Sequence, residues 1–283
     1  MKMNLYLINI FINKEYARIK YGKEVKMKRC TQKMFAAIDS RNMFSQIGRM
    51  GEIIAESLLL GERVSSDEVY PSADVVNIEE GVVCEVKMCN GRHAIRILPN
   101  QINRLGEQVQ DGGFVFGTGI YVLIFYRGID RSRGGKSLLF SRKNSGDKRR
   151  EIIADELQYI YVVDVPLLVH ITKNYPDFYR LGCIVSSQGK TGREGAVYLN
   201  RTTLAGFRDK QGPFKKILNE KYGPHGWTTG STQVEFGFTK GDSIIKRDLP
   251  VHYIGSRKTA RVVKERISSI HPNIQLTFDN VLL

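Results

Sequence analysis

Asp74, Glu85 and Lys87 are the residues of this chain whose types and spacing can do chemistry. Asp74 ends the segment Pro71-Ser72-Ala73-Asp74, and Glu85 and Lys87 sit inside the apolar run Val82-Val83-Cys84-Glu85-Val86-Lys87-Met88. Side chains alternate faces along an extended strand. Glu85 and Lys87 therefore share one face, and Val82, Cys84, Val86 and Met88 share the other. Charges inside such a strand cost on the order of several kcal/mol unless a partner or a metal compensates. Two carboxylates a strand spacing apart can hold Mg²⁺, which prefers oxygen ligands, with Mn²⁺ as an alternative. A bound metal lowers the pKa of its water and neutralises charge on a phosphate. A lysine beside it orients the water, helps deprotonate it, or pairs with the phosphate. The Val86 carbonyl is a further candidate ligand. The chemistry that uses all of these groups is phosphodiester hydrolysis.

The elements that must position them are readable from the pattern. Ile47, Met50, Ile54 and Leu58 recur at helical spacing, so a helix is expected over residues 46–60, ended by Gly61. Arg49, Glu52 and Glu56 fall opposite that stripe. Strands are expected over residues 73–78 and 82–88, joined by Glu80-Gly81 as a two-residue hairpin turn. That turn places Asp74 across from Lys87 on the same face, whereas a three-residue turn would put it on the other. Residues 93–98 read as a strand. Asn100 reads as the cap of a helix reaching Gln110 and stopped by Gly112-Gly113. Residues 120–126 and 159–165 read as buried strands. In the last hundred residues, strands are expected over 233–238 and 274–278 and a helix over 256–269. The expected fold is α/β, with a mixed central sheet flanked by helices and a C-terminal α+β extension.

This order of residues resembles the PD-(D/E)XK, or restriction-endonuclease-like, superfamily. Asp74 matches the first acid, although Ser72 and Ala73 separate it from Pro71 where the strict pattern has Pro-Asp. Glu85 and Lys87 match the second half-motif. Gly48-Arg49-Met50-Gly51-Glu52-Ile53-Ile54-Ala55 resembles the Gly-x-x-Gly-Glu-x-x-Ala helix of small bacterial endonuclease-like proteins, with Glu52 as its acid. Gln101 is placed like a helical Gln of archaeal Holliday junction resolvases. The resemblance covers about residues 45–126. It implies a nuclease core over 41–185, with Glu52, Asp74 and Glu85 organising Mg²⁺, Lys87 serving the attacking water, and Gln101 assisting. It also implies DNA as substrate, cut either by a structure-specific enzyme of junction-resolving or repair type or by a restriction-type enzyme. Residues 1–40 form an extension outside the resemblance, and 186–283 are a candidate substrate-recognition region.

Charge points to the same partner. The 283 residues carry a net charge of +14, and Lys and Arg release condensed counterions when they meet phosphates. Residues 127–150 hold nine basic residues against two acidic ones. Within that insertion Arg131, Arg133, Lys136, Arg142, Lys143, Lys148, Arg149 and Arg150 are the expected DNA contacts. Cys30, Cys84, Cys89 and Cys183 form no CxxC pair, which argues against a zinc site or a disulfide framework and for a reducing, cytoplasmic setting. The apolar run at residues 5–12 is too short to cross a bilayer, so no membrane association is expected. Gly119-Ile120-Tyr121 and Tyr253-Ile254-Gly255 spell two nuclease half-motifs that belong close together in one hairpin, and here they are far apart in sequence. Cutting both strands of a duplex calls for two sites, so a homodimer is expected. The rival from another class is a non-catalytic DNA-binding module with a degenerate nuclease core.

Overall fold

The apolar stripe Ile47, Met50, Ile54 and Leu58 is buried in the computed structural model, as the inner face of helix α1 (Met43–Leu59). The structure describes residues 43–59, 61–64, 73–91, 93–110, 117–127, 155–175, 183–186, 196–240, 243–270 and 274–276. The Gly61 N–H closes the end of α1 onto the Glu56 carbonyl at 3.1 Å, as expected of a residue just past a helix C-terminus.

The strands are β1 (Glu62–Arg63), β2 (Val75–Asn77), β3 (Val82–Asn90), β4 (Ile95–Ile97), β5 (Thr118–Tyr126), β6 (Leu157–Asp164), β7 (Cys183–Ser186), β8 (Ala196–Leu199), β9 (Trp227–Lys240), β10 (Ser243–Ser256) and β11 (Ile274–Leu276). Among the described residues, eight of them form one sheet in the order β1-β2-β3-β5-β6-β10-β9-β11, and β4-β8-β7 form a smaller one. The large sheet is mixed: β3–β5, β6–β10 and β9–β11 run parallel, and the other neighbours run antiparallel. The α/β class and mixed central sheet therefore stand as read from sequence. The C-terminal strands β9, β10 and β11 continue that sheet.

Helices cover both faces. The further helices are α2 (Pro99–Gln110), α3 (Val165–Asn174), α4 (Arg201–Arg208), α5 (Gly212–Tyr222) and α6 (Arg257–Ile270). One core layer joins α1 and Val263 of α6 to Cys84, Val86, Ile120, Val122 and Ile124. The other joins α2, α3, α4, α5 and the small sheet to Val83, Tyr121, Leu123, Phe125, Tyr161 and Val163. Strands β3 and β5 are thus buried on both faces, which is why they read as nearly continuous apolar runs. α1 crosses β3 closely at Gly51, where an added Cβ would lie 3.1 Å from Val86 Cγ1.

Two local expectations are corrected. The hairpin between β2 and β3 is a four-residue turn at 78–81, since Asn77 pairs with Val82, and not the two-residue turn Glu80-Gly81. Asn77 is the cause: its Oδ1 accepts from the Glu80 N–H at 3.0 Å, and Gly81 takes the left-handed conformation at φ 64°. The side-chain amide of Asn77 also donates to the Leu59 carbonyl at 2.8 Å, tying the turn to the end of α1. The second correction is at α2, which starts at Pro99, so Asn100 lies inside the helix and Leu98 precedes it. Proline at the first helical position needs no hydrogen bond from its nitrogen and has its φ already set.

Candidate active site

The register of β2 on β3 positions the first acid. The four-residue turn shifts the pairing by two residues from the expected one, so faces are kept. Val75 pairs with Cys84, so Asp74 comes off the end of the ladder beside residues 84–86 of β3 and not across from Lys87. The Asp74 N–H donates to the Cys84 carbonyl at 2.8 Å, and its Oδ2 accepts from the Val86 N–H at 2.7 Å. The carboxylate stands where the next backbone carbonyl of β2 would have been. It is half-buried at the edge of β3 that β2 no longer covers. The N–H and C=O of one strand residue point the same way. The Val86 carbonyl therefore faces this edge beside Asp74.

Glu85 and Lys87 share the opposite face from α1, as alternation requires. Glu85 is 3% exposed and Lys87 is 26% exposed, and the Lys87 ammonium donates to Glu85 Oε1. A surface ion pair is excluded by that burial. The carboxylate lies within the core layer under α2, and the lysine supplies the compensating charge that such burial demands. Across the sheet the register partner of Glu85 is Tyr121, which is fully buried. Burial, then the charges of Glu85 and Asp74, holds the Tyr121 phenol well above its usual range. Burial, then Asp74 and Glu85, does the same to the Cys84 thiol, so Cys84 offers no thiolate nucleophile.

The other expected residues are placed differently. Glu52 is half-buried on α1, which packs on the face of β3 that carries Val86 and Met88. Among the described residues, no three His, Cys, Asp or Glu side chains converge closely enough to hold a metal ion. The helix that carries Glu52 lies on the opposite side of the sheet from Glu85. Gln101 is on the helix over the correct face, but its Oε1 accepts from the Leu98 N–H at 3.3 Å. It closes the N-terminus of α2 as the third-position glutamine of a capping box does. Arg131, Arg133, Lys136, Arg142, Lys143, Lys148, Arg149 and Arg150 lie outside the described residues. The segment holding them leaves from the end of β5 and returns at the start of β6. The two triplets Gly119-Ile120-Tyr121 and Tyr253-Ile254-Gly255 fall on β5 and β10, with β6 between them.

Tyr121 is the residue of this neighbourhood that sequence reading passed over. A tyrosine in an apolar strand reads as core, and the signal that singles it out is its pairing with Glu85, which needs the β3–β5 register.

The donor set suits a hard divalent cation. Two carboxylates and a carbonyl are all oxygen donors, and Mg²⁺ characteristically takes one or two carboxylates and fills its other positions with water and substrate phosphate. No described helix is long and apolar enough to cross a membrane. The chain matches no protein-family model, no curated protein and no solved structure.

Proposed function

We propose that this protein is a metal-dependent endonuclease that hydrolyses DNA phosphodiester bonds, working with Mg²⁺ or Mn²⁺ and acting as a homodimer on duplex or branched DNA. The observation that carries this reading is the buried Glu85 carboxylate, paired with Lys87, with Asp74 on the Val86 N–H at the edge of β3 beyond the end of β2. Asp74, Glu85 and the Val86 carbonyl would hold the cation. When bound, the cation supplies a more acidic water and positive charge against the phosphate. Lys87, the more exposed of the pair, would turn its ammonium to the attacking water or to a phosphate oxygen. The basic segment 127–150 would grip the phosphate backbone.

A second reading, a DNA-binding module that does not cut, is favoured by one observation: Asp74 and Glu85 are not joined by a third metal-ligating side chain among the described residues. The deciding experiment is cleavage of supercoiled plasmid and of a four-way junction with Mg²⁺ or Mn²⁺, beside EDTA and Lys87→Ala controls. Metal-dependent cutting that disappears in Lys87→Ala is the expected result. Folded wild-type protein that binds DNA and cuts neither substrate with either metal would establish the binding module instead.

A further inference from the structure

Tyr121 is wholly buried, and among the described residues its hydroxyl has no hydrogen-bond partner. A dry, unsatisfied hydroxyl is a cost that phenylalanine, with the same ring, would not carry. Its place is specific. Tyr121 and Glu85 are register partners on adjacent parallel strands, so their side chains leave the sheet side by side on one face. A phenol carries its proton at neutral pH, since its ordinary pKa is about 10. Toward a carboxylate it can act only as a donor.

Lys87 meanwhile faces two demands. In this structure its ammonium is held by Glu85. In phosphodiester hydrolysis it must face the water or the phosphate. When it turns away, a carboxylate 3% exposed to solvent loses a charged donor in a place that water reaches poorly.

We propose that Tyr121 takes over from Lys87: as the ammonium moves to the substrate, the Tyr121 hydroxyl donates to the Glu85 carboxylate and holds it in place. Tyr121 is then a positioning residue of the site, and no covalent bond forms or breaks in the exchange. Its role during cleavage rests on the nuclease reading, but the Tyr121–Glu85 contact does not.

The test separates the two. Thermal midpoints in EDTA are measured for wild type, Tyr121→Phe, Lys87→Ala and the double variant, and Mg²⁺ alone is titrated calorimetrically into wild type and Tyr121→Phe. With Lys87 present, Tyr121→Phe is expected to leave the midpoint unchanged or raise it. With Lys87 removed, the same substitution is expected to lower it by about 3 °C, a non-additive cycle. The Mg²⁺ Kd is expected to rise about tenfold or more in Tyr121→Phe, as for other groups that support a metal-ligating carboxylate. Should Lys87→Ala fail to fold, Lys87→Met keeps the aliphatic stem and serves in the same cycle. An additive cycle overturns the contact, and an unchanged Mg²⁺ Kd overturns the positioning role. A coupled cycle in a wild-type protein that binds no Mg²⁺ would sink the nuclease reading and leave the contact standing.

Discussion

Among the described residues two carboxylates are almost completely buried, Glu85 at 3% and Asp164 at 2% exposure, and they are housed in opposite ways. Asp164 ends β6 and is fully engaged. Its Oδ2 accepts from the Tyr222 hydroxyl and the Ser256 N–H, each at 3.0 Å, joining the end of α5 to the junction of β10 and α6. Gly255 lies so close that an added Cβ would come within 2.4 Å of Asp164 Cβ. Glu85 takes the Lys87 ammonium, a partly exposed partner, and stands beside a tyrosine hydroxyl that has no partner among the described residues. Both have a register- or packing-defined tyrosine neighbour, and only one of those tyrosines is satisfied. A fully bonded buried charge is a fastener. A buried charge with a partly exposed partner and an idle donor is the arrangement expected where something else must bind.

The largest expected effect separates the two by activity. Lys87→Ala or Asp74→Asn should lower the plasmid-cutting rate by about 10²- to 10⁴-fold while leaving DNA binding measurable. Asp164→Ala should leave the cutting rate per folded molecule unchanged. Persistence of cutting in both site variants would break the contrast outright.

Stability should reverse the ranking. Asp164→Ala strands the Tyr222 hydroxyl and the Ser256 N–H and should cost about 3 kcal/mol in urea denaturation. Gly255→Ala should cost about 1–3 kcal/mol, because the methyl group meets the Asp164 side chain. Either variant melting like wild type would show that this junction is not the fastener it looks to be.

The paired tyrosines give a finer test. Tyr222→Phe removes a made hydrogen bond and should cost about 1 kcal/mol, whereas Tyr121→Phe removes an unmade one and should be neutral or stabilising. Equal losses at both positions would mean that the Tyr121 hydroxyl is satisfied in solution.

The smallest effect is on pH dependence. Burial raises the Asp164 carboxyl above its ordinary value, with the Ser256 and Tyr222 hydrogen bonds opposing it. The folded state therefore binds this proton more tightly than the unfolded one, and stability falls as pH rises from the unfolded pKa through the folded one. Relative to Asp164→Asn, wild type should gain stability as pH is lowered from 7 toward 4, measured as the shift in urea midpoint at each pH. A constant difference would place the folded pKa at its ordinary value.

Much of this was legible in the chain itself, for reasons that can be named. The helical stripe at Ile47, Met50, Ile54 and Leu58 and the alternation around Glu85 and Lys87 are local periodicities, and local periodicity survives into the fold because each face must find a core. The charged pair within an apolar strand was legible for the same reason. Element ends were less so. Asn77 looked like a strand residue, yet its side chain bonds the Glu80 N–H and the Leu59 carbonyl and lengthens the turn. Gln101 matched a motif position, yet its side chain closes the start of α2. In both cases a side-chain amide had a backbone group within reach, a competition that spacing alone does not display.

Residue type and order by themselves determined the α/β class, the apolar strands and the charges that those strands must bury. Only the tertiary structure decided which of those charges meet. It brought Asp74 to the Val86 N–H at the edge of β3 beyond the end of β2, set the helix that carries Glu52 on the face opposite Glu85, and brought Tyr121 beside Glu85. These are properties of register and of which face each helix covers. They join residues on separate strands through hydrogen-bond ladders, and no window of sequence contains both partners.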